Sequence, residues 1–539
     1  MEFNLADLFE NAVDHFGDRE CLVAEGKRRT YAEMDERANR LAHHLAENGV
    51  GPGDHVGIYG YNSVEWVETL WAVFKIRATW ININYRYVED ELRYLFDNAD
   101  LKALVYQREF ADRVRGVRDQ LPDLTHSVVI DDGSGVDLDG LDSVDFEAAM
   151  ASGSPERDFR PRSPEDLYIL YTGGTTGMPK GVMWHHKEVS MTLGGGIDPQ
   201  TLERLERPEA MVERAYPTPI NFFFIAPLMH GATQWGLMGQ SFTGNKVLLT
   251  ARFDPIAVWD LIEQEAVNSV MITGDAMGRP LIEALEAEPD RWDTSSLLSL
   301  SSSAALFSPS VKDMFFERFP DLILTDAIGA SESGNNGMTI VTKGETAMEG
   351  GPRVSPSSGT VVLDPETYAE LEPGHEQLGM VARKGDVPIG YYKDPVKTAE
   401  TFVTGPDSTR YAMPGDFARL ESDGTITLIG RGTVSINSGG EKIFPEEVEA
   451  AVKSHPAIYD ATVVGVPDER WGNRVSAVVQ LRDGFDGPSV KDLQGHCRTK
   501  IAGYKVPREI HLVDEIVRAP SGKPDYRWAQ DLARGADTH

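Results

Sequence analysis

The run Tyr171-Thr-Gly-Gly-Thr-Thr-Gly-Met-Pro-Lys180-Gly181 concentrates, in eleven positions, the groups that hold an oxyanion. Gly173, Gly174 and Gly177 let the backbone approach phosphate oxygens and expose successive N–H groups. Thr172, Thr175 and Thr176 add hydroxyl donors, and Lys180 adds a full positive charge. Such a loop can cradle a polyphosphate. It is not a Walker A loop, because Lys180 stands between Pro179 and Gly181, with no Ser or Thr after it. The bland alternative is a Gly/Thr-rich turn with an incidental lysine. Glu332 follows the strand-like run Leu322 to Thr325, so its carboxylate is expected at the C-terminal edge of a sheet, where α/β proteins bind ligands. Asp416 lies in a turn after Gly415, as a ligand or as a turn cap, and Lys523 ends the turn Pro520-Ser-Gly-Lys. His43-His44 and His185-His186 have no further ligands at metal spacing, and no Gly-x-Ser-x-Gly elbow occurs. Neither a zinc site nor a serine hydrolase is expected.

The elements that must position these groups alternate in type. Ala32 to Glu47 has apolar residues at helical spacing, and Ser63 to Ile76 reads as a helix with Ser63 as N-cap. Strand-sized runs recur at His55 to Tyr59, Ala103 to Tyr106, Ser127 to Ile130, Leu167 to Tyr171, Lys246 to Leu249, Ser269 to Ile272 and Leu322 to Thr325. Strands alternating with helices predict an α/β chain with mainly parallel sheets. Asp131 to Asp145 reads as a solvated acidic connector, and Gly194 to Pro217 as an irregular insertion or lid. From Thr433 onward shorter elements follow: helices at Pro445 to Ser454 and Val490 to Lys500, strands at Ala461 to Val466 and Ser476 to Leu481. They predict a small α+β domain after the large one, with the division at 1–431 and 432–539.

Composition narrows the function. The 539 residues include 52 Lys and Arg against 85 Asp and Glu, a formal net charge of −33 that opposes nucleic-acid and polybasic membrane roles. With 41% hydrophobic and 25% charged residues, the chain reads as a soluble globular protein large enough for more than one domain. Cys21 and Cys497 are the only cysteines, too few for a disulfide scaffold, so a reduced cytoplasmic setting is expected. The first residues, Met1 to Phe16, lack the features of a signal peptide. Ile220 to Phe242 is too interrupted for a transmembrane span and reads as the wall of a cleft. Peripheral membrane contact and a homodimer stay open.

Further segments occur in a fixed order: Phe222-Phe-Phe-Ile-Ala-Pro-Leu-Met-His230-Gly231, Ser301-Ser-Ser-Ala-Ala-Leu306, Ile328-Gly-Ala-Ser-Glu332, Gly415-Asp416, Gly430-Arg431, Ser438-Gly-Gly-Glu-Lys-Ile-Phe-Pro-Glu446-Glu447 and Pro520-Ser-Gly-Lys523. Together with the Gly/Thr loop, this series resembles the adenylate-forming superfamily over nearly the whole chain: acyl- and aryl-CoA synthetases, luciferases and the adenylation domains of peptide synthetases. Tyr171 to Trp184, the Ile-Gly-Ala-Ser-Glu variant and Gly274-Asp-Ala-Met-Gly-Arg-Pro280 are similar to actinobacterial-type acyl-CoA synthetases for steroid side-chain and other bulky or fatty acids.

The resemblance implies an N-terminal α/β domain that binds ATP and the acid, and a small mobile C-terminal domain that carries the catalytic lysine. Thr172 to Gly177 and Lys180 would hold the phosphates, and Ser303, Ala304 and Ala305 would pass along adenine. Ile328, Gly329, Ala330 and Ser331 would complete the nucleotide site, with Asp416 and Arg431 on ribose or phosphate. Glu332 and Thr176 would hold Mg²⁺. Lys523 would stabilise charge at the α-phosphate, and His230 would orient the carboxylate. Gly439, Gly440 and Lys442 would serve CoA, and Phe222, Phe223, Phe224, Trp235, Gly274 and Met277 would line the acyl pocket. Small residues from Gly231 to Gly236 beside aromatics favour a large apolar acid. Surface, capping or structural roles remain the alternatives for Glu332, Asp416, Arg431 and Lys523, and a core role for His230.

The chain also departs from the family pattern. Ile328 replaces an aromatic, Gly173 a serine, and Thr433 the usual hinge Asp or Lys. The implied reaction is AMP-forming acyl-CoA synthesis from a carboxylic acid, ATP and CoA. The alternative is a fatty acyl-AMP ligase that feeds a separate carrier protein, since only sixteen residues follow Lys523. A luciferase and a non-catalytic lipid sensor are more distant rivals.

Overall fold

The computed structural model describes residues 1–172, 178–197, 203–344, 352–438, 441–468, 471–519 and 522–535, with the backbone alone at 431, 433, 441 and 442. Two units emerge. The first comprises Met1–Met271, Asp290–Leu298 and Asp386–Phe402. The second comprises Ile272–Pro289, Ser299–Gly385 and Val403–His539.

In the first unit an eight-stranded sheet runs in the order Gly390–Tyr391, Lys180–His185, Leu167–Thr172, Thr79–Ile83, His55–Tyr59, Leu101–Gln107, His126–Ile130 and Val144–Asp145. The last six are parallel, and Lys180–His185 folds back antiparallel on Leu167–Thr172. Thr79–Ile83 and His55–Tyr59 are buried at every position, as central strands covered on both faces must be. A second layer aligns Lys27–Thr30, Glu20–Ala24, Lys246–Leu249, Asn221–Phe224 and Ser269–Ile272. Helix Val64–Lys75 begins where the sequence predicts, with the Trp66 amide donating to Ser63 Oγ at 3.1 Å. Helix Tyr31–Glu47 opens with a reciprocal cap between Thr30 and Glu33.

In the second unit Ser299–Ser303 lies parallel to Ile323–Ala330, which forms an antiparallel hairpin with Gly334–Val341. The strand expected at Leu322 to Thr325 therefore continues to Ala330, because its partner keeps offering backbone hydrogen bonds. Arg353–Pro356, Ile426–Arg431, Asp416–Leu420 and Gly379–Lys384 extend this layer antiparallel. A three-stranded layer of Ile458–Asp468, Gly472–Leu481 and Glu509–Val513 packs with helices Pro445–Lys453, Val490–Arg498 and Tyr526–Ala533 around two apolar clusters.

The acidic connector ends in the short strand Val144–Asp145, and the segment read as a lid holds a 3-10 helix at Pro208–Arg214. Residues 198–202 of that segment lie outside the described ones. Among the described residues no helix is long and apolar enough to cross a membrane.

Candidate active site

The base of the Gly/Thr loop is a strand pair in which Thr172 faces Lys180. Gly173, Gly174, Thr175, Thr176 and Gly177 lie outside the described residues. The strand beneath the loop is clamped by a side chain that the motif does not reveal. Asn82, buried in Thr79–Ile83, accepts the Tyr171 amide at 2.7 Å and donates to the Tyr171 carbonyl at 2.8 Å and the Met229 carbonyl at 2.6 Å. One amide thus fixes both Tyr171, at the root of the Gly/Thr loop, and the residue before His230. Asn62 does the same for the preceding turn, donating to the Ala226 carbonyl at 3.3 Å and accepting the Leu228 amide at 2.6 Å. The available signal was a polar residue inside an apolar strand, Trp80-Ile-Asn82-Ile. Lys180 pairs with Asp394, whose other oxygen caps helix Pro395–Thr401 at the Lys397 amide, 2.9 Å away. The Lys180 ammonium, followed by the Lys397 amide, holds the Asp394 carboxyl below the usual carboxylate range.

His230 immediately precedes helix Gly231–Phe242 and is half-buried. The helix comes close to its neighbours. A Cβ on Gly231 would lie 2.5 Å from the Leu170 side chain and 2.9 Å from Trp235, and one on Gly236 would lie 2.4 Å from Phe224. The volume next to these two glycines, which the sequence suggests for an acyl group, is thus taken by the chain's own Leu170, Trp235 and Phe224 side chains. Phe223, Phe224 and Trp235 are buried, while Phe222 is half-buried and stacks on Phe224 at 6.3 Å.

In the second unit the turn after strand Ser299–Ser303 carries Ala304 at φ +69°, a left-handed conformation that costs an alanine about 1 kcal/mol. The start of helix Gly274–Ala287 fixes this turn. The Gly274 amide donates to Ser302 Oγ at 3.1 Å, the Asp275 amide to the Leu306 carbonyl at 2.9 Å, and the Ser308 amide to Asp275 Oδ1 at 2.8 Å. Gly274 has φ +54° and a Cβ there would lie 2.3 Å from the Leu306 oxygen, so it is packed backbone against backbone. Met277, on the same helix, is buried.

Glu332 occupies the tip of the hairpin between Ile323–Ala330 and Gly334–Val341, half-buried and beside Ser331. Gly329 is required one step below, since its Cβ would lie 2.5 Å from the Gly334 oxygen. Ile328 is 9% exposed and packs with Val354, Val362, Val381, Ala418 and Ile426. Its aliphatic chain is thus committed to the core. Asp416 and Arg431 are direct partners across an antiparallel pair, and Gly415 precedes the first at φ +103°. The 3-10 turn Gly432–Val434 follows. Gly439 and Gly440 lie outside the described residues, and the backbone of Lys442 pairs with Asn437.

Lys523 is exposed, in a turn closed by the Ala519 amide donating to the Lys523 carbonyl and the Gly522 amide to the Ala519 carbonyl, each at 2.8 Å. Gly522 is at φ +72° and sits against Thr273 and Ala276, with its Cβ position 3.0 Å from the Thr273 oxygen. The lysine turn is thereby seated on the same helix start that fixes the Ser303–Leu306 turn.

Comparison with known proteins shows the family and the fold. The AMP-binding enzyme family matches residues 9–392, and its C-terminal domain family matches residues 447–523. A 3-oxocholest-4-en-26-oate–CoA ligase of Rhodococcus rhodochrous is 52% identical over 98% of this chain and 96% of its own. A medium/long-chain-fatty-acid–CoA/3-oxocholest-4-en-26-oate–CoA ligase of Mycolicibacterium smegmatis is 49% identical over 99% and 97%. The crystal structure of the anthranilate CoA ligase AuaEII with anthranoyl-AMP superposes with a TM-score of 0.83 over 99% and 98% of the two chains, at 22% identity, a likeness of fold. The chain belongs to the AMP-binding enzyme family.

Proposed function

We propose that this protein is an AMP-forming acyl-CoA synthetase, an ATP-dependent acid–thiol ligase that activates fatty and steroid side-chain carboxylic acids. The observation that carries this reading is near full-length identity of about half to ligases named for those acids, in a chain that retains Lys180, Glu332, Asp416, Arg431 and Lys523. The carrier-protein alternative has no comparable support. Residues 1–431 act as the nucleotide- and acid-binding domain and 432–539 as the domain that delivers Lys523. The two buried, unpaired cysteines suit work in the cytoplasm.

The acid's carboxylate attacks the α-phosphorus of ATP, forming the acyl–O–P bond as pyrophosphate leaves. Loop amides and Lys180 hold the β- and γ-phosphates, Ser303 to Ala305 pass along adenine, and Asp416 accepts hydrogen bonds from ribose. The Lys523 ammonium lies between carboxylate and α-phosphate, where it stabilises developing charge without acting as a base. His230 orients the acid. The Glu332 carboxylate, a hard oxygen donor at a half-buried hairpin tip, fits Mg²⁺, and Glu332 with Thr176 would hold the ion. Bound there, the cation would offset phosphate charge that repels the incoming carboxylate. In the second half-reaction the CoA thiol attacks the acyl carbonyl and AMP departs, with Gly439, Gly440 and Lys442 at the thiol. Splitting the reaction turns a poor leaving group into a good one.

The test is mass spectrometry of purified protein with Mg-ATP and a pool of short, medium, long, aryl and steroid side-chain acids, with and without CoA. Acyl-CoA and AMP are expected from long or polycyclic acids. Acyl-adenylate that ignores CoA would favour the carrier-protein ligase, and no ATP use would overturn the reading. Lys523→Ala should abolish adenylation and spare thioester formation from supplied acyl-adenylate.

A further inference from the structure

Helix Gly274–Ala287 carries Asp275, Arg279 and Glu283, four residues apart and hence on one face. Within the second unit that face meets the C-terminal layer. Lys453, at the end of helix Pro445–Lys453, donates to Asp275 Oδ2 at 2.9 Å, the two side chains being 2% and 7% exposed. Arg482, just past strand Gly472–Leu481, pairs with Glu283 at 3.0 Å. Between these pairs Tyr459 receives both guanidinium groups, Arg279 at 5.7 Å and Arg482 at 5.9 Å from its ring centre. Burial alone would raise the Asp275 carboxyl, but Lys453, with the Ser308 amide and Arg279, outweighs it and keeps the group ionised.

Two connections lead from this contact to the chemistry. Asp275 holds the Ser308 amide, at the end of the turn expected along adenine. Gly522, one residue before Lys523, rests on Thr273 and Ala276 in the first turn of the same helix. On its other side the lysine turn is fastened by Arg518, which forks onto Asp460 at 2.6 and 2.7 Å and donates to the Gly522 carbonyl at 2.8 Å. Where Lys523 sits therefore follows from where the C-terminal layer docks on Asp275, Arg279 and Glu283.

The ionic character of this contact is informative. A junction made to stay closed gains most from apolar packing, whereas a buried ion pair is close to neutral overall, because each charge recovers its hydration when the pair separates. Charged faces dock in one register and part without exposing a large apolar surface. We propose that Lys453 and Arg482, docked on Asp275 and Glu283, form a releasable latch that positions Lys523 for adenylation and must open before the thioester step. This rests on the acyl-CoA synthetase reading, and it makes Lys453 and Arg482 positioning residues.

The half-reactions separate the possibilities. Lys453→Met, Arg482→Gln and Glu283→Gln are assayed by acid-dependent ATP–pyrophosphate exchange and by acyl-CoA formation from supplied acyl-adenylate. Adenylation should fall roughly tenfold or more in Lys453→Met and severalfold in the half-exposed Arg482–Glu283 pair, while thioester formation holds or rises. Lys453→Arg should restore adenylation. Amide hydrogen exchange in 517–525 of the ligand-free protein should quicken in all three variants. Parallel loss in both half-reactions, or unchanged exchange in Arg482→Gln and Glu283→Gln, would overturn the latch. If the wild type makes no acyl-CoA the function reading fails, and the exchange measurement still decides whether the latch holds the lysine turn.

Discussion

Lys180 illustrates how one side chain is shared between folding and chemistry. Its ammonium rests on Asp394, a carboxylate already committed to capping helix Pro395–Thr401, and both groups are partly exposed. An ion pair in that setting contributes at most about 1 kcal/mol, so a polyphosphate bound as proposed, with several negative charges, would displace it. If Lys180 binds phosphate as proposed, Asp394 competes for the lysine and adds a negative charge beside it. Asp394→Asn keeps the cap to Lys397 and removes the charge. ATP affinity, measured by calorimetric titration, should rise roughly two- to fivefold. Weaker binding would mean that Asp394 orients the lysine instead of competing for it. Lys523 is carried on a turn whose Gly522 is in a left-handed conformation against Thr273.

At the scale of elements, the site is held by strand ends and helix starts tied through buried amides. Asn82 is the clearest case, because one side chain from Thr79–Ile83 bonds both the strand beneath the Gly/Thr loop and the turn before His230. Asn82→Ala leaves the Tyr171 amide and the Met229 carbonyl unsatisfied, at a cost of about 2–4 kcal/mol. The urea midpoint should fall accordingly. ATP–pyrophosphate exchange, measured where the variant is still fully folded, should fall at least roughly tenfold as loop and histidine lose their common anchor. A normal exchange rate in a destabilised variant would confine Asn82 to stability.

This element also shows what the sequence can reveal. Periodicity located Lys246–Leu249 and Ser269–Ile272 at their observed bounds, since local spacing encodes strands, and motif order singled out Glu332, Asp416 and Lys523 as candidates. It did not reveal Asn82, Asp394 or the Asp275 face. Their partners lie 89, 214 and 178 residues away in the chain, and such pairings arise only from tertiary packing. Nor could composition show that Gly231 and Gly236 make room for Leu170, Trp235 and Phe224.

For the whole molecule, two electrostatic effects oppose each other on acidification. A net charge of −33 means self-repulsion, which falls as carboxylates take up protons, so that effect alone would favour folding at lower pH. The buried histidines act in the other direction. Burial pushes His186 down to about 4, with Asp166 only partly offsetting it, and the ring's Nδ1 accepts the Leu5 amide at 3.3 Å. Desolvation likewise lowers His44, His55 and His126, the first and last in contact at 3.0 Å. A histidine whose folded pKa lies below its unfolded value of about 6.5 stays neutral in the fold while the unfolded chain gains a proton, so stability drops as pH falls from 6.5 toward 4. For His186 alone the loss between pH 7 and pH 5 is about 2 kcal/mol. Charge relief is spread over a large surface and screened by salt, whereas these rings are buried, so the histidines prevail. The thermal midpoint should therefore decrease from pH 7 to pH 5 in moderate salt, despite the approach to neutrality. His186→Gln keeps an acceptor for the Leu5 amide and should flatten that decrease. A midpoint that rises toward pH 5, or a slope unchanged by the substitution, would assign control of stability to the surface charge.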